Sequence, residues 1–234
     1  AIRRGERVMV GGESGTGKST LIRAVAGLWP WGRGEIAIPP DWRIMFLPQT
    51  PYLPLGSLRA ALSYPNPAES LGDEEAERVL SRVGLDHLAP RLNEEERWDH
   101  ILSGGERQRI AFARVLIERP DLVVMDEATS ALDEDSQARV MEAFLEELPE
   151  AALISVAHRP SLAQYHTRTL ELRREGGGVR LVRGDRIARR FNKTFGGLFN
   201  TFGQIQKSEA EVRRPAGSIS GLRSGGIGVS PNEP

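Results

Sequence analysis

The chain has 234 residues, 39% of them hydrophobic, and its 31 basic and 32 acidic side chains give a formal net charge of −1. This length suits one good-sized domain with an appendage, or two small domains. Because the chain has no cysteine, disulfides and thiolate metal sites are excluded, and no apolar run approaches the roughly 18 residues of a membrane-spanning helix. The first residues are not those of a signal peptide, and since the chain does not begin with an initiator methionine we expect it to be a section of a longer polypeptide.

Charge is distributed unevenly along the chain. Residues 1–185 carry 23 basic and 29 acidic side chains, whereas residues 186–234 carry 8 basic and 3 acidic ones. The two parts therefore have net charges of −6 and +5, and this asymmetry predicts a boundary near residue 185. We expect a folded body over residues 1–185 and a basic tail over residues 186–234.

The first predicted elements surround a glycine-rich loop. A short apolar run, Arg7–Val10, predicts a strand that enters the loop, and Ser19–Ala26 predicts a helix that ends at Gly27. Two further strands are predicted over Gly34–Ile38 and Arg43–Leu47, since prolines bound both runs.

The middle of the chain is predicted to be helical, forming a subdomain over about residues 57–116. Carboxylates at Asp73–Glu75 suit the first turn of a helix that ends at Gly84. Another helix is predicted to begin at Ser103 and to run to Glu118, just before a proline.

The last part of the body alternates strands with a helix. Leu122–Met125 and Leu153–Ala157 are apolar without alternation, which is typical of strands buried on both faces of a parallel sheet. Between them Glu134–Leu148 predicts a helix, and Thr169–Leu172 with Val179–Val182 predicts a hairpin. The order of elements predicts an α/β fold with a mainly parallel sheet.

The glycine-rich loop has the G-x-x-x-x-G-K-[ST] spacing of a phosphate-binding P-loop. Its lysine, Lys18, is the only lysine within residues 1–185, and its compact ammonium fits between phosphate oxygens better than a planar guanidinium. The alternative is that the spacing matches by chance in a glycine-rich loop, and that a genome biased towards arginine retained this lysine by chance. The predicted nucleotide-binding residues are Gly12, Glu13, Ser14, Gly15, Thr16, Gly17, Lys18, Ser19 and Thr20.

Two carboxylates, Asp126 and Glu127, follow the predicted buried strand. Ligands of open α/β sheets bind at the carboxyl ends of the strands, so this position suits catalysis. With the Ser19 hydroxyl, Asp126 is predicted to hold Mg²⁺, and Glu127 to activate water as a general base. The alternative is an acidic pair that caps the following helix.

The segment Leu102–Arg109, with the sequence LSGGERQR, resembles the signature motif of ABC-type ATPases. It precedes the buried strand as in that family. Gln49, Ser130–Asp133 and His158 occupy the places of further family motifs, and the resemblance covers about residues 2–183. It implies a P-loop NTPase with a mainly parallel sheet core, a truncated antiparallel accessory sheet and an α-helical signature subdomain.

The resemblance also implies roles for individual residues. Two ATPase domains enclose two ATP molecules head to tail, so that Ser103, Gly104 and Gly105 of one domain face the P-loop of the other. Gln49 would sense the metal and the attacking water, Asp133 would report across the dimer, and His158 would contact the γ-phosphate and hold Glu127. The implied catalytic residues are Lys18, Gln49, Glu127 and His158, the implied metal ligands are Ser19, Gln49 and Asp126, and ATP and Mg²⁺ are the implied cofactors.

Within the superfamily, the segments 47–65, 98–103 and 155–159 resemble the branch that holds peroxisomal fatty-acyl and bacterial cobalamin or peptide half-transporters. There a membrane domain precedes the ATPase on one chain. The resemblance implies a second ATPase domain and a transmembrane domain as partners, no nucleic acid, and a location at the cytoplasmic face of the inner membrane. The alternative is a soluble ABC ATPase that acts on nucleic acid or as a regulator.

Two expectations concern the ends of the chain. The family stacks adenine on an aromatic residue well before the P-loop, and none of the residues before Gly12 is aromatic, so we expect weak ATP binding by this chain alone. In the tail, apolar and basic residues over 186–206 fit an amphipathic helix on lipid or on a partner, or else a segment without a role. Residues 215–234 are rich in Gly, Ser and Pro, which predicts disorder.

Overall fold

The computed structural model of the protein describes residues 1–157, 159–176 and 178–183. The predictions for His158 and for the tail, including the amphipathic helix over 186–206, lie outside these residues.

Within the described residues, strands form a six-stranded sheet and a separate two-stranded pair. The strands are β1 (Arg7–Gly12), β2 (Ile44–Leu47), β3 (Gly56–Ser57), β4 (Glu95–Glu96), β5 (Leu122–Asp126), β6 (Ala152–Val156), β7 (Arg168–Glu175) and β8 (Gly178–Arg183). The α-helices are α1 (Lys18–Val25), α2 (Leu58–Ser63), α3 (Asp73–Arg82), α4 (Trp98–Ile101), α5 (Gly104–Glu118) and α6 (Glu134–Glu147).

The six-stranded sheet has the order β2-β5-β6-β1-β7-β8, in which only the β7–β8 pair is antiparallel. Val10 of β1 is level with Val156 of β6, which is the register neighbour of Asp126 in β5. Since parallel strands end at the same edge of a sheet, this register places the carboxyl ends of β1 and β5 level with each other at that edge. Strand β6 lies between them. The glycine-rich loop and the acidic pair therefore share one edge of the sheet.

Apolar side chains cover both faces of this sheet. The larger cluster joins the strands to the helical subdomain and α6 and includes the fully buried Trp98, Phe112 and Phe144. The smaller cluster, with Val10, Ile22 and Val124, lies beneath α1. All five residues of β6 are buried, as the run without alternation predicted.

One predicted strand is wrong. Gly34–Ile38 has no regular secondary structure, and Ile36 is half exposed. A strand needs a neighbour for its backbone groups, and none of the described strands pairs with this segment. In contrast, the strand predicted over Arg43–Leu47 is present as β2, because β5 pairs with it in parallel.

The helical subdomain contains a feature that the pattern did not predict. Gly56–Ser57 and Glu95–Glu96 pair as two-residue antiparallel strands, β3 and β4. Strands this short are below the length over which a period of two can be recognised. The mainly parallel sheet, the small antiparallel pair and the helices together confirm the predicted fold class. None of the helices in the described part of the chain is long and apolar enough to span a bilayer.

Candidate functional site

The P-loop connects β1 to α1 through backbone conformations that favour glycine. Gly17, which precedes α1, has φ 90°, and Gly12 has φ 139°. A Cβ atom on Gly12 would lie 2.6 Å from the backbone oxygen of Leu172 in β7, closer than atoms can approach. The motif spacing therefore reflects both the turn of the loop and its close contact with a neighbouring strand.

Lys18 is the first residue of α1, and its side chain folds back over the loop. The side chain is buried, with 6% of its surface exposed, and Nζ donates to the carbonyl oxygens of Gly12 (3.0 Å) and Glu13 (2.8 Å). The Thr16 hydroxyl also donates to the Glu13 carbonyl, at 2.8 Å. An ammonium has three hydrogens. Lys18 can therefore donate to a phosphate oxygen either in addition to these two carbonyls or in place of them. The loop thus holds a cation within the curve of its own backbone.

Ser19 and Asp126 meet although 107 residues separate them in sequence. The Ser19 hydroxyl donates to Oδ1 of Asp126 at 3.1 Å, across the edge where β1 and β5 end. Magnesium in nucleotide sites takes one or two protein oxygens and completes its shell with phosphate oxygens and water. A hydroxyl and a carboxylate side by side next to a P-loop have the donor chemistry that this ion prefers.

Glu127 adopts a strained backbone conformation directly after β5. Its φ is 53°, in the left-handed region that residues with a side chain rarely adopt. Two backbone hydrogen bonds hold this turn: the Glu127 N–H donates to Val156 at 3.0 Å, and the Glu127 carbonyl accepts from Ser130 at 3.0 Å. Strain of this kind persists where the surroundings impose it and is concentrated at functional sites.

Gln49 lies on the surface after β2, and its backbone is tied to the interior. Its carbonyl accepts a hydrogen bond of 2.9 Å from Nε2 of Gln108, a side chain of α5. The same amide donates to the Ser130 hydroxyl and accepts from the backbone N–H of Ala131. The loop that holds Gln49 is therefore connected to the segment that follows Glu127.

Ser103 caps α5 in a complete capping box. Its hydroxyl accepts from the Glu106 N–H (3.2 Å) and donates to the Glu106 carboxylate (2.7 Å), which also accepts the Ser103 N–H. His87 contacts the other carboxylate oxygen at 3.1 Å. Hydrogen bonds from Ser103 and His87 lower the pKa of Glu106 despite the opposing effect of burial. The serine of the signature motif therefore has a fixed orientation.

The signature glycines pack against the segment before α6. A Cβ atom on Gly105 would lie 3.1 Å from the backbone oxygen of Ala131, and one on Gly104 would lie 3.4 Å from the Ala131 side chain. Asp133 then caps α6, accepting the Ser136 N–H at 2.7 Å, and this hydrogen bond lowers the pKa of Asp133. Asp133 thus has a local role in addition to the one implied across a dimer.

The predicted residues form two groups in the described part of the chain. The P-loop, Asp126 and Glu127 lie at one edge of the sheet, and the signature residues pack near Ala131. Sequence reasoning did not select Gln108 or Arg159, which hydrogen bond to both ends of the segment Ser130–Leu132. Both residues lie within recognised motifs. Their hydrogen-bond partners are distant in sequence, so no local sequence pattern indicates these contacts.

Comparison with known proteins agrees with this geometry. The family described as ABC transporter matches residues 1–130. An uncharacterized ABC transporter ATP-binding protein of Haemophilus influenzae is 42% identical over 175 residues, which cover 75% of this chain and 29% of that protein.

Two named relatives show a similar partial match. An inner membrane ABC transporter ATP-binding protein of Escherichia coli is 38% identical over 69% of this chain and 28% of its own length. The lysosomal cobalamin transporter of Homo sapiens is 36% identical over 76% of this chain and 31% of its own length. The chain therefore spans less than a third of the length of these relatives.

Proposed function

Because the chain belongs to the ABC transporter family, whose ATP-binding domains bind and hydrolyse ATP, we propose that it is the ATPase domain of a half-transporter and that its P-loop edge is the hydrolytic site. The observation that carries this proposal is the contact between Ser19 and Asp126, beside the folded-back Lys18. Because of this contact, the phosphate-binding loop and a carboxylate lie side by side at one edge of the sheet, where both can contact a nucleotide.

The phosphates of ATP would be bound by the backbone N–H groups of the P-loop and by the N-terminus of α1. Lys18 would move its ammonium from the Gly12 and Glu13 carbonyls to the β- and γ-phosphate oxygens. Ser19, Asp126 and Gln49 are the residues that would hold Mg²⁺, which when bound offsets the phosphate charge.

Glu127 would accept a proton from the water that attacks the γ-phosphate in line with the leaving oxygen. Its strained turn keeps the residue at the end of β5, next to the Asp126 carboxylate. His158 would hold Glu127 and contact the γ-phosphate, and Gln49 would orient the water. The bond from the γ-phosphorus to the bridging oxygen breaks as water bonds to phosphorus, releasing ADP and phosphate.

We assign the signature motif to the nucleotide of a second domain. Ser103 caps α5, and the first turn of this helix presents the backbone N–H groups of Gly104 and Gly105, a site suited to a phosphate. In a head-to-tail dimer these groups would close over the P-loop of the partner, and Asp133 would report across the interface. Each chain would then supply half of two composite sites.

The membrane domain of the transporter would bind beside the Gln49 loop. Tyr52 (62% exposed), Leu55 (71%) and Tyr64 (41%) expose apolar surface there, and the two tyrosine rings contact each other edge to face. Relatives more than three times the length of the matched region leave room for such a domain. In this arrangement the ATPase would lie at the cytoplasmic face of the inner membrane, and nucleic acid would not be a partner.

Replacing Glu127 with Gln tests the proposal. We expect ATP turnover to fall by about a thousandfold because the base is lost, while Mg²⁺–ATP still drives dimerisation because the phosphate contacts remain. Phosphate release and the molar mass with and without Mg²⁺–ATP measure the two effects. Glu134→Gln, the same change at an exposed position, is the control and should behave as the wild type. Unchanged hydrolysis by Glu127→Gln would refute the role of this carboxylate.

A further inference from the structure

The segment Ser130–Leu132, between Glu127 and α6, is held by two side chains from other parts of the chain. We call Gln108, Arg159 and this segment the loop clamp. Their hydrogen bonds reach this segment and the Gln49 carbonyl. The loop clamp is bonded to the backbone of Gln49 and of Glu127, and it packs against Gly105.

The side-chain amide of Gln108 forms hydrogen bonds with three different residues. Only 2% of the residue is exposed, and Nε2 donates to the Gln49 carbonyl (2.9 Å) and to the Ser130 hydroxyl (3.3 Å). Its Oε1 accepts the Ala131 N–H at 3.0 Å. Both amide hydrogens and the amide oxygen are thus engaged, which fixes the relative positions of two loops 81 residues apart in the chain.

Arg159 holds the same segment through two backbone carbonyls. Its Nη1 donates to the Leu132 carbonyl at 2.5 Å, and its Nη2 donates to the Ser130 carbonyl at 2.9 Å. A guanidinium presents these donors in a rigid fork, so one side chain spans two carbonyls of a short turn. Gln108 and Arg159 together therefore bind a hydroxyl, an N–H and two carbonyls of three consecutive residues.

The clamped segment connects the two halves of the proposed site. At one end, the Ser130 N–H donates to the Glu127 carbonyl, which ties the segment to the proposed base. In its middle, Ala131 packs against Gly105, which belongs to the group proposed to bind the partner's nucleotide. Through Gln108 it is also tied to the backbone of Gln49.

From this geometry we propose that Gln108 is a positioning residue that couples the two half-sites of one chain. It makes the first turn of α5, the Gln49 loop and the turn at Glu127 move as one unit. Closure of the signature motif on the partner's nucleotide is thereby communicated to the base that serves the chain's own nucleotide. This inference rests on the proposed function, since it requires two composite sites.

Replacing Gln108 with Met tests this coupling in the full-length protein. Methionine has a similar length and no hydrogen-bonding amide, so it removes the links without adding charge. We expect kcat for ATP hydrolysis to fall by about tenfold or more, because small displacements of catalytic groups lower rates steeply. The Hill coefficient for ATP should fall towards 1. The affinity for ATP measured without hydrolysis should stay within about twofold, since Gln108 touches no phosphate.

Gln137→Met is the matched control. Gln137 is also 2% exposed and its amide donates to Ser161, within a contact between α6 and the turn after β6. The control loses a buried amide of equal size but leaves the loop clamp intact. It should therefore keep the wild-type kcat and Hill coefficient. An equal loss in both variants would overturn the proposal, because general destabilisation would then explain it.

Hydrogen exchange gives a readout that does not depend on catalysis. The Ala131 amide should exchange faster in Gln108→Met than in the wild type or Gln137→Met, because its acceptor is gone. Unchanged protection would overturn the clamp. Arg159→Met, a change at a partly exposed residue, provides a second variant that affects the same segment. The double variant should lose less than the product of the two single losses, and full additivity would contradict a shared role.

These outcomes separate two kinds of failure. If the wild-type protein does not hydrolyse ATP, the proposed function fails, whatever hydrogen exchange shows. If the wild type hydrolyses ATP and Gln108→Met matches it in kcat and Hill coefficient, the coupling proposal alone fails.

Discussion

At the scale of single residues, Lys18 and Arg114 are two buried cations with different surroundings. Lys18 lies within a loop whose two carbonyls converge on one ammonium. Arg114 donates from two nitrogens to two separate carbonyls, those of Ala61 (2.6 Å) and Tyr52 (2.8 Å), and burial lowers its pKa to about 10. A planar fork suits the second geometry and a compact ammonium suits the first. The choice of lysine at position 18 thus follows from shape as well as charge.

His166 is a residue whose protonation is set by its packing. Nδ1 lies 2.7 Å from the Leu162 carbonyl, which only accepts, so Nδ1 carries the hydrogen and Nε2 accepts from the Ser155 hydroxyl at 2.5 Å. Burial lowers the pKa of His166 to about 4. The neutral ring is thus part of the packing between β6 and the start of β7.

This lowered pKa predicts a loss of stability in acid. Below the ordinary histidine pKa the unfolded chain binds a proton that the folded chain does not, so stability falls as the pH falls from about 6.5 to about 4. The loss attributable to His166 should reach about 3 kcal/mol. Urea unfolding against pH, compared with His166→Gln, measures it as the difference between the two curves. A His166→Gln curve that loses as much stability in acid as the wild type would contradict the prediction.

At the scale of elements, the helices α5 and α6 begin next to one another. Ser103 and Asp133 cap them, and the two caps flank Ala131, against which Gly105 packs. Capping satisfies backbone N–H groups that the helix itself leaves without partners. The same residues that give these helices their starting points are thus the ones assigned to the composite site.

Gly12 joins β1 to the P-loop and lies against the backbone of Leu172 in β7. Replacing it with Ala should cost about 2–4 kcal/mol, because the side chain combines an unfavourable φ with a backbone clash at Leu172. Gly27→Ala is the matched control, since Gly27 also has positive φ but open space around its Cβ position. Its cost should be about 1–2 kcal/mol. Equal shifts in the urea midpoint for the two variants would show that the contact with β7 adds nothing.

At the scale of the whole molecule, the apolar clusters on the two faces of the sheet position the site. Strands β5 and β6 are buried between α5 and α6 on one side and α1 on the other. Interiors of this kind are close-packed, so their elements do not shift freely. The position of the P-loop edge is consequently set by apolar side chains of the two clusters, most of which lie far from that edge.

Ile110 and Ile101 offer a test of this packing with the same chemical change. Ile110, in α5, is fully buried, whereas Ile101, in α4, is 45% exposed. Ile110→Ala should lower the free energy of unfolding by about 2–5 kcal/mol because it leaves a cavity. Ile101→Ala should cost about 1 kcal/mol or less, as expected for a surface position. Equal losses in denaturant unfolding would mean that the two helices are not packed as described.

Much of the fold could be predicted because its signals are local. The apolar runs at β5 and β6 have no alternation, the first-turn carboxylates mark α3, and Ser103 with Glu106 marks the start of α5. Gly34–Ile38 was predicted wrongly because a strand also depends on a neighbour that its own residues do not reveal. The short pair β3–β4 was not predicted for a related reason, since its two strands are distant from each other in sequence.

The sequence by itself determined the chemical groups of the site and their order along the chain, because motif spacing constrains the backbone of a loop and the residues that follow a strand. Only the tertiary structure decided which of these groups touch. The Ser19–Asp126 contact and the bonds of Gln108 to Gln49 and Ala131 join residues whose separation in sequence carries no information on distance. Sheet register and helix packing set those distances, and they result from burial summed over the whole domain rather than from any single motif.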